Sequence, residues 1–372
     1  SACLVGSEMC IRDRDRIEIL RDGASAQYGS DAMAGVINIQ LKKDINHWTI
    51  NTGWSGYYDN KFNSYSHRAS NEYYYSKPID GGTYSIAANN GLAIGKNGGF
   101  INFSMNLLTQ AKTFRQVSNK NWETDENALP YINGGRRAFG DGSVNTYGAM
   151  YNMEIPTSSK GTTTFYSFGG YNYKASDAYA YTRNWSAKPE RFPVDASGNL
   201  LYNAAIMHTT TDGEIYYNPH IQTNIADASI ATGLKGAAGN GWNWDLSNTL
   251  GRNDFHYYGH KTFNASIINN ASKTHFDDGG FNFLQNTLNL DFNKSYQSIG
   301  AGLNLALGAE YRYERYAIYK GEDASFSNYH PTVLNYPSVG EQRTPASGSQ
   351  GFPGFSPTDV IAADRSNASL YA

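Results

Sequence analysis

The sequence predicts an all-β fold, an antiparallel transmembrane β-barrel wall led by a small α/β element. Three observations predict it. Long stretches alternate apolar and polar residues with a period of two, the spacing of a strand with two unlike faces. The connections between them alternate strictly between tight turns and long loops, as in barrels whose two rims differ. Composition agrees: of 372 residues 38 are Gly, 29 Tyr and only 11 Pro, and 14% are aromatic. Mean hydropathy is -0.56, and no apolar run approaches the roughly eighteen residues of a membrane helix. A formal net charge of -3 offers no basic surface for nucleic acid.

Both cysteines, Cys3 and Cys10, fall in the first ten residues. That segment has no basic start, apolar core or small-residue cleavage site of a signal peptide. Residues 1–14 are therefore read as a non-native addition, resembling a translated sequencing-adaptor remnant, and carry no fold information. From Arg16 to Lys42 the order is strand, Gly turn, helical turn, strand. Ile17 and Ile19 alternate with Arg16 and Glu18, Gly23 supplies the turn, and Ala24–Tyr28 is a helix former closed by Gly29. Val36–Leu41 is a β-branched run that needs burial. A phosphate-binding loop is disfavoured, because Gly35 is followed by Val36-Ile37 and not by Lys-Ser or Lys-Thr. A generic soluble β-α-β element is the plainer alternative.

Strands are expected at about 47–58, 82–95, 99–115, 146–156, 161–182, 221–236, 241–260, 282–295 and 299–320, with a tenth starting near Asn367. Leu284, Leu288, Leu290 and Phe292 oppose Gln285, Thr287, Asn289 and Asp291, and Trp244, Leu246 and Leu250 oppose Asp245, Ser247 and Thr249. Such runs reach the roughly nine to eleven residues a tilted strand needs to cross a bilayer. The tight turns are Lys96-Asn-Gly-Gly99, Thr157-Ser-Ser-Lys160, Ala237-Ala-Gly-Asn240 and Tyr296-Gln-Ser298. Long connections, at 59–81, 116–145, 183–220, 261–281 and 321–366, separate them. Tyr57, Tyr58, Tyr179, Tyr181, Tyr257, Tyr258, Tyr311, Tyr313, Tyr316 and Tyr319 read as an interfacial aromatic belt.

The stretch Arg16–Lys42 closely resembles the C-terminal part of the plug domain of TonB-dependent outer-membrane receptors. Leu307-Gly-Ala-Glu-Tyr-Arg-Tyr-Glu314 resembles a mid-barrel strand of that family. Gly351-Phe-Pro-Gly-Phe-Ser-Pro357 and Asp364–Ala372 are similar to the loop and strand that follow. The resemblance implies residues 15–44 as the C-terminal part of the plug and residues 45–372 as the N-terminal half of the barrel. It implies a partial barrel, nine to ten of about 22 strands. Such a fragment leaves two open edges and is not expected to fold alone in a bilayer. Its sheet should be curled, with residues 15–44 on the concave face.

The resemblance further implies a receptor in the outer membrane of a Gram-negative bacterium. Its partners would be a small-molecule nutrient, outer-membrane lipid and lipopolysaccharide, and the TonB energy-coupling complex, reached through a segment N-terminal to this one. A ferric siderophore is the first cargo class; carbohydrate and cobalamin are alternatives, and a passive porin or structural surface barrel is the rival from another class. No enzyme activity and no cofactor are implied: Gly-x-Ser-x-Gly, His-Glu-x-x-His and paired-Cys motifs are absent. Tyr73, Tyr74, Tyr75 and Trp185, with Arg136 and Arg137, are candidate substrate contacts, since aromatic faces and Arg forks suit an anionic aromatic chelate and stacked rings suit a sugar. Asp254, His256 and His260 share a strand face, but solvated loop-base residues are a better account than a metal site. The sequon Asn264-Ala-Ser266 has no meaning in a bacterial outer membrane. Glu310, Arg312 and Glu314 are expected to face the lumen, and the family's habit of locking plug arginines against barrel glutamates makes Arg16 and Arg21 their expected partners.

Overall fold

The computed structural model describes residues 14–20, 35–58, 79–113, 140–157, 162–209, 213–300 and 302–372. Strands β1 (Arg14–Leu20) and β2 (Val36–Leu41) pair antiparallel, with Ile17 opposite Ile39 and Ile19 opposite Ile37. The expected turn and helical turn between them, Gly23 to Gly29, lie outside the described residues.

Next come β3 (Thr49–Tyr58), β4 (Ile79–Ile94), β5 (Gly99–Gln110), β6 (Ser143–Pro156) and β7 (Thr163–Tyr179). Three short strands follow in a loop, β8 (Arg183–Asn184), β9 (His208–Thr209) and β10 (Ile215–Tyr217). Then come β11 (His220–Ala237), β12 (Asn243–His260), β13 (His275–Tyr296), β14 (Leu303–Tyr319), the loop pair β15 (Leu334–Tyr336) and β16 (Glu341–Arg343), and β17 (Ile361–Tyr371). The long strands form one 10-stranded antiparallel sheet, β3-β4-β5-β6-β7-β11-β12-β13-β14-β17, in which each strand pairs with the next long strand of the chain. No crossover interrupts it, as expected when each strand is joined to its neighbour by a hairpin turn or a returning loop.

The register sorts the side chains onto two unlike faces. Ile230, Leu234, Leu246, Leu250, Leu288 and Leu290 share one face and are exposed. Tyr147, Tyr171 and Tyr311 extend that face toward the long-loop rim. The opposite face carries Lys235, Asp245, Asp291 and Tyr371. It is concave: side chains from β5, β6, β7, β11, β12 and β13 line one open cavity of about 850 Å³ on it. A continuous exposed apolar band of this extent marks a surface built to be covered.

Several strands run further toward the long-loop rim than the alternation predicts. β4 begins at Ile79, β6 at Ser143, β13 at His275 and β17 at Ile361, whereas β5 stops at Gln110. In β13 the cause is a bulge. The register shifts opposite Tyr257/Tyr258, and Gly279 takes a φ of 76°, which breaks the period of two that identifies a strand. In β17 the Ile361–Ser366 half does not alternate and is held by its pairing to β14. Tyr257 and Tyr316 depart from the expected belt and face the concave side, Tyr257 stacking on Phe352 at 4.5 Å.

The apolar band also holds polar side chains, Asn248 and Asn286 among them. Asn248 donates to Asn286 Oδ1 at 3.2 Å and Asn286 to Asn248 Oδ1 at 3.0 Å, a reciprocal amide pair flanked by Leu246, Leu250 and Leu288. Each amide also donates, over a longer distance, to a backbone carbonyl, Asn248 to Thr287 at 3.3 Å and Asn286 to Thr249 at 3.4 Å. Replacing one by Leu in the full-length protein should destabilise it by about 1–2 kcal/mol, since the remaining amide loses its partner. Replacing both should restore most of that loss. Urea titration of the two single variants and the double variant checks this, and equal additive losses would show that the amides do not act as a pair.

Candidate functional site

The concave face is a lattice of paired polar groups. Near the tight-turn rim Glu154 takes Lys43 at 2.8 Å and Lys235 at 3.1 Å. The Tyr166 hydroxyl donates to Asp245 at 2.7 Å, and that of Tyr371 to Asp291 at 2.6 Å. Farther along, Arg312 pairs with Glu310 at 2.9 Å and Arg365 with Glu314.

The segment that leaves β2 lies against this face. Asn152 donates to the Lys42 carbonyl at 3.0 Å, Asn102 to the Asp44 carbonyl at 2.8 Å, and Asn46 N–H to the Gly91 carbonyl at 2.7 Å. A Cβ at Gly91 would come within 2.1 Å of the Asp44 carbonyl oxygen, so only glycine permits this approach. Asn89 fixes the Asn102 amide through its own donation to Asn102 Oδ1 at 2.5 Å. Glu154, Asn102, Asn152 and Gly91 escape sequence reasoning. Their one signal is that they fall on the polar parity of their strands.

Arg16 does not reach Glu310 or Glu314. It pairs with Glu18 at 2.6 Å and with Asp15 at 3.2 Å. Glu18 lies two residues along the same strand, so the pair forms with almost no ordering of chain, and the distant glutamates find partners on their own wall. Arg21, Tyr73, Tyr74, Tyr75, Arg136 and Arg137 lie outside the described residues.

At the opposite rim three long connections form one body with its own core. Phe192, Met207 and Tyr217 come from the first, Phe263 from the second and Tyr336 from the third, and all are buried. Their rings meet edge to face, Phe192 on Tyr217 at 4.9 Å and Tyr217 on Phe263 at 5.1 Å. Polar ties reinforce the core. Arg343 pairs with Glu190 at 2.8 Å, Ala346 N–H donates to the Glu190 carbonyl at 2.7 Å, and Asn264 donates to the carbonyls of Ala324 and Ser327 at 2.8 and 2.9 Å. Trp185 belongs to this core, packed edge-on against Phe192 at 5.4 Å, with Tyr336 at 6.3 Å.

His256 is fully engaged. Its Nε2 lies 2.7 Å from Asp277, and the Tyr319 hydroxyl reaches both its Nδ1 and Asp254 at 3.1 Å. His260 stands apart, against the rings of His220 and His275. Among the described residues no group of three His, Cys, Asp or Glu side chains is placed to hold a metal ion.

No family model and no curated protein matches the sequence. Among solved structures the chain is similar to the siderophore receptor PirA from Acinetobacter baumannii, at 15% identity and a TM-score of 0.47, over 81% of this chain and 35% of that one. It is also similar to the ferripyoverdine receptor of the outer membrane of Pseudomonas aeruginosa, at 11% identity and a TM-score of 0.49, over 97% and 39%. A third is the ferric-catecholate import receptor Fiu from E. coli K12 in its open form, at 11% identity and a TM-score of 0.44, over 96% and 56%. The chain thus spans between 35% and 56% of the length of these receptors.

The loop body is anchored on the bulge of β13. Asp278 is fully buried there, its Oδ1 accepting from the Ser349 hydroxyl at 2.9 Å and its carbonyl from Phe355 N–H at 2.9 Å, while Oδ2 has no hydrogen-bond partner. Burial, opposed by the Ser349 bond and aided by the charges of Asp277 and Glu322, pushes the carboxyl up to about 8. A folded-state value above the unfolded one favours the protonated acid, so the stabilisation is present at low pH and lost as pH rises through about 8. Limited proteolysis of the 321–360 connection should therefore quicken between about pH 6 and about pH 9 in the full-length protein. Asp278→Asn should flatten that rise. Matching profiles for the two proteins would show that this carboxyl does not hold the loop.

Proposed function

We propose that this chain is the plug-to-barrel portion of a TonB-dependent outer-membrane receptor that imports a scarce nutrient, with a ferric siderophore as the first cargo class. One placement carries the reading. The segment following the β1–β2 hairpin hydrogen-bonds to a concave polar wall whose convex side is an apolar band. A passive porin or structural barrel has no use for a preceding strand pair whose outgoing segment is bonded to the inside of its wall. On this reading the apolar band faces outer-membrane lipid and the polar face lines the lumen, as barrel strands require. The wider resemblance adds the remaining strands of a barrel of about 22, and the TonB complex pulling from the periplasm.

The docking chemistry suits a plug that must yield. Half-exposed Lys43 contributes little to holding it, because such ion pairs are worth about 0–1 kcal/mol. The rest are separate hydrogen bonds, each of net value about 1 kcal/mol, which a pull can break in sequence. No reaction on the cargo is proposed. Tyr73, Tyr74, Tyr75, Arg136 and Arg137 remain the proposed contacts with it, and Trp185 acts by supporting the loop body. Ferric siderophore is put ahead of carbohydrate and cobalamin because that cargo is the most frequent in the resembled family.

Uptake measurements test this. Deleting the gene in its own host should abolish import of a radiolabelled ferric siderophore under iron limitation, and collapsing the proton gradient should do the same in the parent strain. Loss of carbohydrate or cobalamin uptake instead would move the cargo class. Import that persists without the gradient would make the protein a passive pore.

A further inference from the structure

Two of the wall side chains that hold the docked segment have a second partner on the wall itself. Glu154 Oε1 takes two ammonium groups at once, Lys43 of the segment at 2.8 Å and Lys235 of β11 at 3.1 Å. The Asn102 amide, which donates to the Asp44 carbonyl at 2.8 Å, also reaches Asn89 Oδ1 at 3.3 Å. When the segment leaves, Lys43 and the Asp44 carbonyl go with it. Lys235 and Asn89 stay.

Lys235 is placed to serve two carboxylates. It reaches Glu154 across β7, passing over the Tyr166 ring at 5.2 Å. The register sets it opposite Asp245, which takes the Tyr166 hydroxyl at 2.7 Å. Its side chain is half-exposed, so a shift of partner disturbs little packing. Lys43 and Lys235 meet on one oxygen, which puts their charges within about 6 Å of each other, and like charges at that distance repel even in water.

The arrangement acts on both sides of the release step. In the docked state the repulsion offsets part of the attraction between Lys43 and Glu154. In the released state a carboxylate that had lost its one partner would stand as an uncompensated charge and oppose the loss. Glu154 avoids that penalty because Lys235 remains on it. A lock would be built otherwise, with one cation from the segment and none on the wall. Resting on the plug reading proposed above, we propose that Lys235 is a positioning residue for release, which opposes Lys43 while the segment is docked and takes over Glu154 as the segment withdraws. It acts through Glu154 and holds no cargo.

Hydrogen exchange at the Asn46 amide reports release, because that N–H donates to the Gly91 carbonyl at 2.7 Å in the docked segment. The test follows it by mass spectrometry in the full-length protein, in detergent at low salt. Lys235→Met should slow exchange about threefold, the factor given by removing one like charge about 6 Å away. Lys235→Arg should exchange like the wild type. With Lys43→Met already in place, adding Lys235→Met should change nothing, since no second ammonium group remains to be opposed. Lys235→Gln is measured beside Lys235→Met, which keeps the test open if one variant misfolds. Exchange that does not slow, or a slowing that persists without Lys43, overturns the role of Lys235 and leaves the docking intact. Unprotected exchange at Asn46 in the wild type means that the segment is not docked, and the plug reading then falls with the proposal.

Discussion

Leu246 stands opposite Leu234 on one side and Leu290 on the other, while its neighbour Asp245 stands opposite Lys235 and Asp291. Every other feature depends on that register. Side chains on a strand alternate faces, so a slip of one residue exchanges the two surfaces completely. A slipped β12 would set Asp245 among leucines and Leu246 among carboxylates. Leaving a polar group without partners in an apolar medium costs several kcal/mol, and the penalty would recur along the strand. The same register delivers Tyr166 to Asp245 and Tyr371 to Asp291 across strands remote in sequence. The concave lattice is thus a consequence of pairing the apolar rows correctly.

The two ends of the wall solve different problems. At the tight-turn end the polar face receives a separate segment of chain, and it does so through amides that reach backbone carbonyls. Asn102 and Asn152 read no side chain of that segment, only its path. At the other end, the long connections would be costly to order one by one, because each fixed residue loses about 1–2 kcal/mol of backbone freedom. They share a core, and Phe192, Phe263 and Tyr336 bury in it together. Whatever the loop body meets, it presents a preformed surface.

Much of the wall was legible in the amino-acid order because its two environments differ strongly and its turns are short. The alternation through Leu284–Phe292 needs no knowledge of partners. Legibility fades where a strand leaves the apolar band. The first residues of β13 read as loop, since the Asp278-Gly279 bulge shifts parity, and Ile361–Ser366 of β17 is a strand only by pairing with β14. The loop core was hidden for another reason: its members lie in three segments, and nothing in the spacing of Phe192, Phe263 and Tyr336 links them. The expected plug–barrel ion pair failed at Arg16 because Glu18, two residues away, competes without any cost of chain ordering. The contacts that do join the segment to the wall are side chain to backbone, which a search for complementary charges does not find.

Spin labels placed singly at residues 244–252 of β12, in the full-length protein reconstituted in a bilayer, test the central claim most directly. Collision rates with lipid-dissolved oxygen should be high at Trp244, Leu246, Asn248 and Leu250 and low at Asp245, Ser247, Thr249 and Gly251. Rates without a period of two, or with the opposite phase, would contradict the assignment of the apolar convex face to lipid and the polar concave face to the lumen.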